Sequence, residues 1–463
     1  MRRYLIFIAL LGFARIVEAG WTILPRLNAS GTYSDNVSLA PAGAQQTSDL
    51  ITEIEPGLTV DRQGHHSQLH AQYSLDEVYF QDNNNWNRQL HHFDGMAELA
   101  TEDGNFKLDL TGFLGNQYGS AQSGMSLNRY NTYVEPAYVS VVGLSPKLNL
   151  LRGSGHEIRL EAEENVVSLL GSNADAVIGK YRADMRLNSP QSRSEWSLNA
   201  NATSTDYYKL PGNSVENATA GIAYSYSFPR SARLTMSLGY DQNDSTVAGV
   251  SKGEGGGNVG AGFQIADGHG VDLQFHAANR YYGDVYQGKL DYKGGRFDLG
   301  AEIDDQIQSR AELISASLAG RGDVWKNLPG VEQWATGAVR NRKTALHCNY
   351  TARRVALGVD YLTQVRDDFV ASSGKEFIDS AGVKASYKLS RRSTLSVGWW
   401  NIETRMSTSP VGTKNQLADV TMSLAVSHHV AGNITYRQQD SEASLASPGY
   451  SEASYQATLS MEF

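Results

Sequence analysis

The sequence predicts an all-β fold: a transmembrane antiparallel up-and-down β-barrel of about 22 strands, within a range of roughly 18 to 22, with short periplasmic turns and long extracellular loops. Three observations lead there. Apolar and polar residues alternate with period two along most of the chain. Connections alternate between short turns and longer polar stretches. The last segment ends on Phe463, with apolar or aromatic residues at every second position back to Tyr455.

The N-terminus is a separate element. Met1 to Ala19 opens on Arg2 and Arg3, runs apolar from Tyr4 to Phe13, and places Val17 and Ala19 at the spacing of a cleavage site. That is the pattern of a cleaved secretory signal peptide, so the expected division is 1–19 signal peptide and 20–463 barrel. Arg15 interrupts the apolar stretch too early for a membrane anchor, which needs about 20 apolar residues. No plug domain is expected ahead of the first strand, since the mature chain begins almost directly with Trp21. Cleavage removes three of the 40 basic and one of the 49 acidic residues, taking the formal net charge from −9 to −11. A chain that acidic is a poor nucleic-acid binder. The single cysteine, Cys348, excludes a disulfide scaffold, and no later apolar run is long enough for a helical span.

The strands announce themselves by their two faces. Leu69, Ala71, Tyr73 and Leu75 alternate with Gln68, His70, Gln72 and Ser74; Phe106, Leu108 and Leu110 alternate with Lys107, Asp109 and Thr111. The pattern returns at Leu234 to Tyr240, Val271 to Phe275 and Val420 to Val426, and closes the chain at Tyr455 to Phe463. A strand with one apolar and one polar face stands between two solvents. In a barrel these are lipid outside and water inside, which lets a chain of negative mean hydropathy lie in a membrane.

Short turns are expected at Arg62–His65, Glu102–Asn105, Leu144–Lys147, Ser189–Arg193, Pro229–Ser231, Asp267–Gly270, Lys293–Arg296, Ala352–Arg354, Leu389–Arg392 and His428–Gly432. Polar connections lie between them, among them Ser34–Ser48, Gln81–Trp86, Asn116–Asn131, Thr205–Val215, Asp241–Gly256, Asp367–Glu376 and Thr404–Asn415. Turns at one rim and loops at the other is how an outer-membrane barrel is strung. Tyr207, Tyr208, Tyr224, Tyr226, Tyr281, Tyr282, Trp399 and Trp400 fall near the inferred strand ends, where interfacial girdles are expected.

The terminal set Tyr455, Leu459, Met461 and Phe463 resembles the signature by which barrel-insertion machinery recognises its substrates. With the leader it implies the bacterial outer membrane. A narrower resemblance rests on Trp21, Pro25, Tyr33, Asp35, Asn36, Val37, Pro56, Gly57 and Tyr73, which look like the start of outer-membrane barrels found with PEP-CTERM and exosortase systems. Past Tyr73 only the hairpin plan matches. The resemblance implies an exopolysaccharide context and brings no catalytic residues.

Candidate chemistry is sparse. Gly255, Gly257 and Gly260 spell a lone G-x-G-x-x-G without the strand-before, helix-after setting of a dinucleotide site. Arg321-Gly322-Asp323 reads as a loop turn, and the pairs His65/His66, His91/His92 and His428/His429 point neighbouring rings to opposite faces, unsuited to one metal ion. Asp304, Asp305, Asp367 and Asp368 fit a lumen or loop better than an active site, no serine sits in a nucleophile elbow, and neither enzyme activity nor a cofactor is expected.

The longest connection, Ser309–Lys343, differs from the rest. It begins with a short helical pattern (Ala311, Leu313, Ile314, Leu318) and carries Arg310, Arg321, Trp325, Lys326, Trp334, Arg340 and Arg342. A wide lumen needs something to narrow it, so this loop is expected to fold inward as a pore constriction or ligand loop. The functional expectation is a passive pore or accessory component for exopolysaccharide or small-solute passage, with lipid, lipopolysaccharide, the insertion machinery and export proteins as partners. A sealed structural or adhesive barrel, and less so a barrel enzyme, are the alternatives.

Overall fold

The computed structural model describes residues 16–18, 20–41, 43–117, 137–150, 156–169, 175–188, 193–210, 212–229, 231–247, 250–266, 270–309, 311–313, 338–368, 374–407, 412–442 and 449–463. A three-residue strand, β1 (Ile16–Glu18), pairs with the start of the next. Most of the expected signal peptide lies outside the described residues. The barrel begins with β2 (Trp21–Ser34), β3 (Asp49–Gln63), β4 (Ser67–Phe80), β5 (Arg88–Ala100), β6 (Phe106–Gln117), β7 (Ala137–Leu150), β8 (His156–Leu169), β9 (Ala176–Asn188), β10 (Ser194–Asp206), β11 (Ser214–Phe228) and β12 (Ala232–Val247). It continues with β13 (Val250–Ala266), β14 (Val271–Arg280), β15 (Gly283–Gly294), β16 (Phe297–Ser309), β17 (Ala338–Thr351), β18 (Val355–Asp368), β19 (Lys375–Lys388), β20 (Ser393–Met406), β21 (Thr413–Ala425), β22 (Val430–Ser441) and β23 (Tyr450–Glu462).

Each of these strands pairs antiparallel with its sequence neighbour, and β2 pairs with β23 from Arg26↔Glu462 to Ser34↔Ser454. The result is a closed barrel of 22 strands, as the alternation predicts. Closure satisfies the backbone groups that lipid would leave bare. Among the described residues no helix is long and apolar enough to cross a membrane.

The two faces sort as expected. Val142, Met236, Leu238, Val259, Ile434 and Tyr455 point outward, exposed on a face that meets lipid. Residues of the opposite parity face the lumen and pair with polar neighbours there, Asn28 with Glu55, Lys147 with Asp109 and Asn165 with Glu163. Glycines seat outward rings against the wall: a Cβ at Gly95 or Gly112 would strike Phe93.

Three boundaries depart from the sequence reading. Leu144–Lys147 is no turn; β7 runs through it to Leu150, and the connection is 151–155. The stretch contains Pro146. It is accommodated because the β7–β8 register lapses between Leu144↔Glu164 and Lys147↔Glu161, where a proline has no N–H to give. The stretch Asp241–Gly256 is also not a loop, since β12 and β13 stay paired up to Val247↔Val250. Glycine has poor strand propensity, but the ladder is made by backbone and carries the glycine cluster along. Finally, 338–343 belong to β17, so Arg340, Arg342 and Lys343 are strand residues and the loop ends earlier than expected.

Candidate permeation path

The lumen wall is built from the polar half of each alternating strand. Along β5 to β9 it carries a chain of ion pairs: Lys107 Nζ to Glu98 at 2.6 Å, Lys147 Nζ to Asp109 at 3.0 Å and to Glu161 at 3.1 Å, and Lys180 Nζ to Glu163 at 3.7 Å. Further round, Arg233 and Arg186 share Glu195 at 2.9 and 4.0 Å. Both signs are present, so the wall is wet and charged without being a one-sign tunnel.

The mouth is narrowed by a break in the sheet. The hairpin β14–β15 is short, turning at Tyr281–Tyr282, and β15 pairs with β16 only as far as Gly288↔Ile303. Above that level β16 and β17 stay paired with each other but leave the wall. Ser309 Oγ lies 2.9 Å from Thr205 Oγ1, on the lumen side of β10. Ile307, Ala311 and Ala338 pack with Val139, Val141, Val167, Ala176, Ile178 and Val215, all on lumen-facing positions of β7, β8, β9 and β11. The sheet thus overlaps itself as a scroll does, its free edge inside the mouth. A second apolar cluster, Val37 with Ile51, Val78, Phe80 and Leu90, lines the lumen side of β3–β5 near the same rim.

Arg340 holds the turned-in edge. Its Nε and Nη2 donate to the Asp305 carboxylate at 2.8 and 2.7 Å, its Nη1 to the Tyr282 carbonyl at 3.0 Å and its Nη2 to the Asp284 carbonyl at 2.7 Å. The guanidinium also lies 5.1 Å from the centre of the Tyr282 ring. One side chain therefore joins the departing edge to the hairpin it left, using the planar fork that lysine lacks.

Beneath this edge the lumen wall hollows into a polar groove of about 500 Å³, lined by Thr235, Gln264, Gln274, His276, Gln287, Lys289, Glu302 and Asp304 among others. Gln287 and Gln306 donate to Asp304 at 3.2 and 2.7 Å, and Lys343 Nζ sits 3.5 Å from Glu302. Amide, carboxylate and ammonium groups together suit a hydrophilic solute by hydrogen bonding. Among the described residues no three potential metal ligands gather.

The expected site residues are only partly placed. Arg310, Arg321, Trp325, Lys326 and Trp334 lie outside the described residues, while Arg340 forms the clamp and Arg342 stands beside it on β17, opposite Asp305. Tyr455, Leu459 and Met461 share the outward face of β23, and the Phe463 N–H donates to the Pro25 carbonyl at 3.0 Å. Of the expected girdle, Tyr224 and Tyr226 face outward on β11, and Tyr207, Tyr208, Tyr281 and Tyr282 sit in connections. Trp399 faces lipid in mid-strand, whereas Trp400 faces the lumen. The Gly255–Gly260 motif is strand β13. His92 meets Asp76 at 3.0 Å inside, while His91 meets the Tyr73 hydroxyl outside. The scroll and its clamp left no mark in the sequence beyond the shortness of β14–β15.

No family model matches the chain, and no curated protein matches it. Solved structures do. The FrpB iron transporter from Neisseria meningitidis is similar over 96% of this chain and 83% of its own, at 10% identity and a TM-score of 0.50. The ferric-catecholate import receptor Fiu from E. coli K12 is similar over 97% and 82%, at 9% identity and a TM-score of 0.52. At such identity the likeness is one of fold. The fold they share with this chain is a large antiparallel β-barrel.

Proposed function

We propose that this chain is a bacterial outer-membrane protein, exported with a cleaved leader, that passes small hydrophilic solutes by diffusion along its lumen. The observation that carries this is the polar groove of β12–β16 lying directly below the turned-in β16–β17 edge. A constriction above a hydrogen-bonding hollow is what a selective passive channel needs. Two of the transport proteins that share the fold lend it support. In this reading the protein is a transporter, with no covalent step and no cofactor. The finer form of the reading, passage of an exopolysaccharide or its fragments, rests on the N-terminal resemblance. Tyr455, Leu459, Met461 and Phe463 serve as the insertion signal, and the partners are the lipid bilayer with its lipopolysaccharide and the insertion machinery.

Single-channel conductance of the refolded mature protein in a planar bilayer tests it. Steady conductance that rises when 311–337 are deleted is the expected result. A folded barrel that never conducts, with or without that deletion, overturns the channel reading. It would favour a structural or adhesive barrel, the second reading that the two apolar clusters in the mouth support.

A further inference from the structure

Trp400 is a large aromatic side chain on the lumen face of β20. A Cβ at Gly382 on β19 would stand 2.6 Å from its Cδ1, and one at Gly398 would overlap the far edge of the indole. The ring therefore lies flat along the wall across two strands, fitted into the space that two glycines leave. Phe93 is seated in the same way over Gly95 and Gly112, but on the outer face, where acyl chains cover its free side. The free side of Trp400 faces the lumen.

The strand register sets what surrounds the ring. In its own row stand Asp360, Gly382, Trp400 and Leu417. One row toward the periplasm stand Lys384, Gly398, Asp419 and Arg437. Asp419 reaches up against Gly398, and the Thr421 hydroxyl donates to it at 3.3 Å. Two acids and two bases balance, so the place offers no net field to a charged solute. Each is a strong hydrogen-bond partner for hydroxyl groups, and Leu417 extends the apolar strip beside the indole. A flat apolar face bordered by balanced donors and acceptors matches a pyranose ring, whose C–H face stacks on an aromatic plane while its rim of hydroxyls pairs with polar groups.

We propose that Trp400, with Asp360, Lys384 and Asp419, forms a stacking subsite for a neutral sugar unit on the lumen wall. The proposal rests on the channel reading for its purpose, since it names the class of solute that the lumen receives. It also separates that class from an anionic polymer, which would need a net positive surround.

Two measurements with maltohexaose as the probe keep the subsite and the channel apart. The first is a titration of intrinsic tryptophan fluorescence in the detergent-solubilised full barrel, which reads the subsite whether or not the barrel conducts. The second is transient block of single-channel current. The expected result is saturable binding that Trp400→Ala weakens by about tenfold, the loss of one good contact, while Trp399→Ala, which removes the neighbouring lipid-facing ring, leaves it unchanged. Gly398→Ala, whose methyl forces the indole off the wall, should weaken binding in the same way with the ring still present. Binding that survives Trp400→Ala or Gly398→Ala undiminished overturns the proposal, as does a hexagalacturonate that binds where maltohexaose does not. Loss of conductance with intact, Trp400-dependent sugar binding would sink the channel and leave the subsite standing.

Discussion

Two tall hairpins, β12–β13 and β16–β17, flank the short β14–β15 hairpin, and both lose their neighbour at the height where it turns. One keeps its place and the other does not. β13 is paired with β14 only from Val259 downward, and above that its free edge stands exposed, with a Lys252–Glu254 ion pair at 3.1 Å and glycines at Gly253, Gly255 and Gly257. β16 is paired with β15 only below Gly288↔Ile303, and above that its edge is buried inside the mouth. The residues at each edge account for the difference. Charge and glycine make a strand edge that water can cover and that offers no apolar surface to pack. β16 instead carries Ile307 and leads into Ala311, which find the valines of β7, β8 and β11. An unpaired edge is left open or is folded away according to the side chains it bears.

The contrast is most sharply broken at Arg340. Its side chain is 19% exposed and that of its partner Asp305 6%, so Arg340→Ala strands a carboxylate that is largely shielded from water. The expected loss is about 3–5 kcal/mol of stability, read by urea unfolding in lipid vesicles, together with noisier single-channel current as the edge loosens. Asp305→Ala in the same background should restore part of that loss, because the two changes share one interaction. Strictly additive effects would show that the clamp does not hold the edge. The next effect belongs to the seam, the third way this sheet treats an edge. There Ser34, fully buried, donates its hydroxyl to Glu452 at 2.6 Å, and Asn36 donates to the Ser451 carbonyl at 2.9 Å, locking β2 to β23. Ser34→Ala should cost about 1–3 kcal/mol and leave conductance as it was, since this edge is closed in the wall and not at the mouth.

Most of the wall was legible in the sequence, and the scroll was not. Alternation reports which residues meet lipid and water, because each strand solves that problem for itself. Nine of the ten expected turns fall where strands end; the tenth, at Pro146, failed because a proline can also occupy a lapse in a ladder. Aromatic doublets hide which face each ring takes. Trp399 and Trp400 look like one girdle, yet neighbours on a strand face opposite ways, and only the register with Gly382 and Leu417 shows that Trp400 is inside. Ala338–Thr351 alternates weakly, with Arg340, Arg342 and Thr344 on the outward parity, so the sequence offers little to separate its start from the loop. That parity makes sense once β17 lies inside the mouth, where its outer face meets other protein instead of lipid. Such a meeting depends on the length of the neighbouring hairpin and on chain more than a hundred residues away, as with Ser309 and Thr205.

Two smaller effects test whether the open edge is as inert as it looks. Val250, at the tip of β12–β13, is 63% exposed, so Val250→Thr should change stability by no more than about 0.5 kcal/mol and leave conductance untouched. A large effect on either would show that this hairpin also packs against something at the mouth. The smallest expected change lies at the opposite rim, in the turn between β5 and β6. There the Thr101 hydroxyl donates to Asp103 Oδ1 at 2.5 Å and the Asn105 N–H donates to the same oxygen at 3.0 Å, while Gly104 takes a φ of +67°. These bonds, the hydroxyl first, hold the Asp103 carboxyl below its usual range. A carboxylate depressed in the folded state adds stability above its unfolded value, and that stability drains away as pH falls through the folded one. Asp103→Asn should therefore lower stability slightly at neutral pH and converge on the parent as pH falls through the folded value, flattening the acid side of the profile; the effect is small because the group is fully exposed and water screens it. An unchanged acid limb would mean that the turn is ordered by Gly104 and the β5–β6 ladder alone.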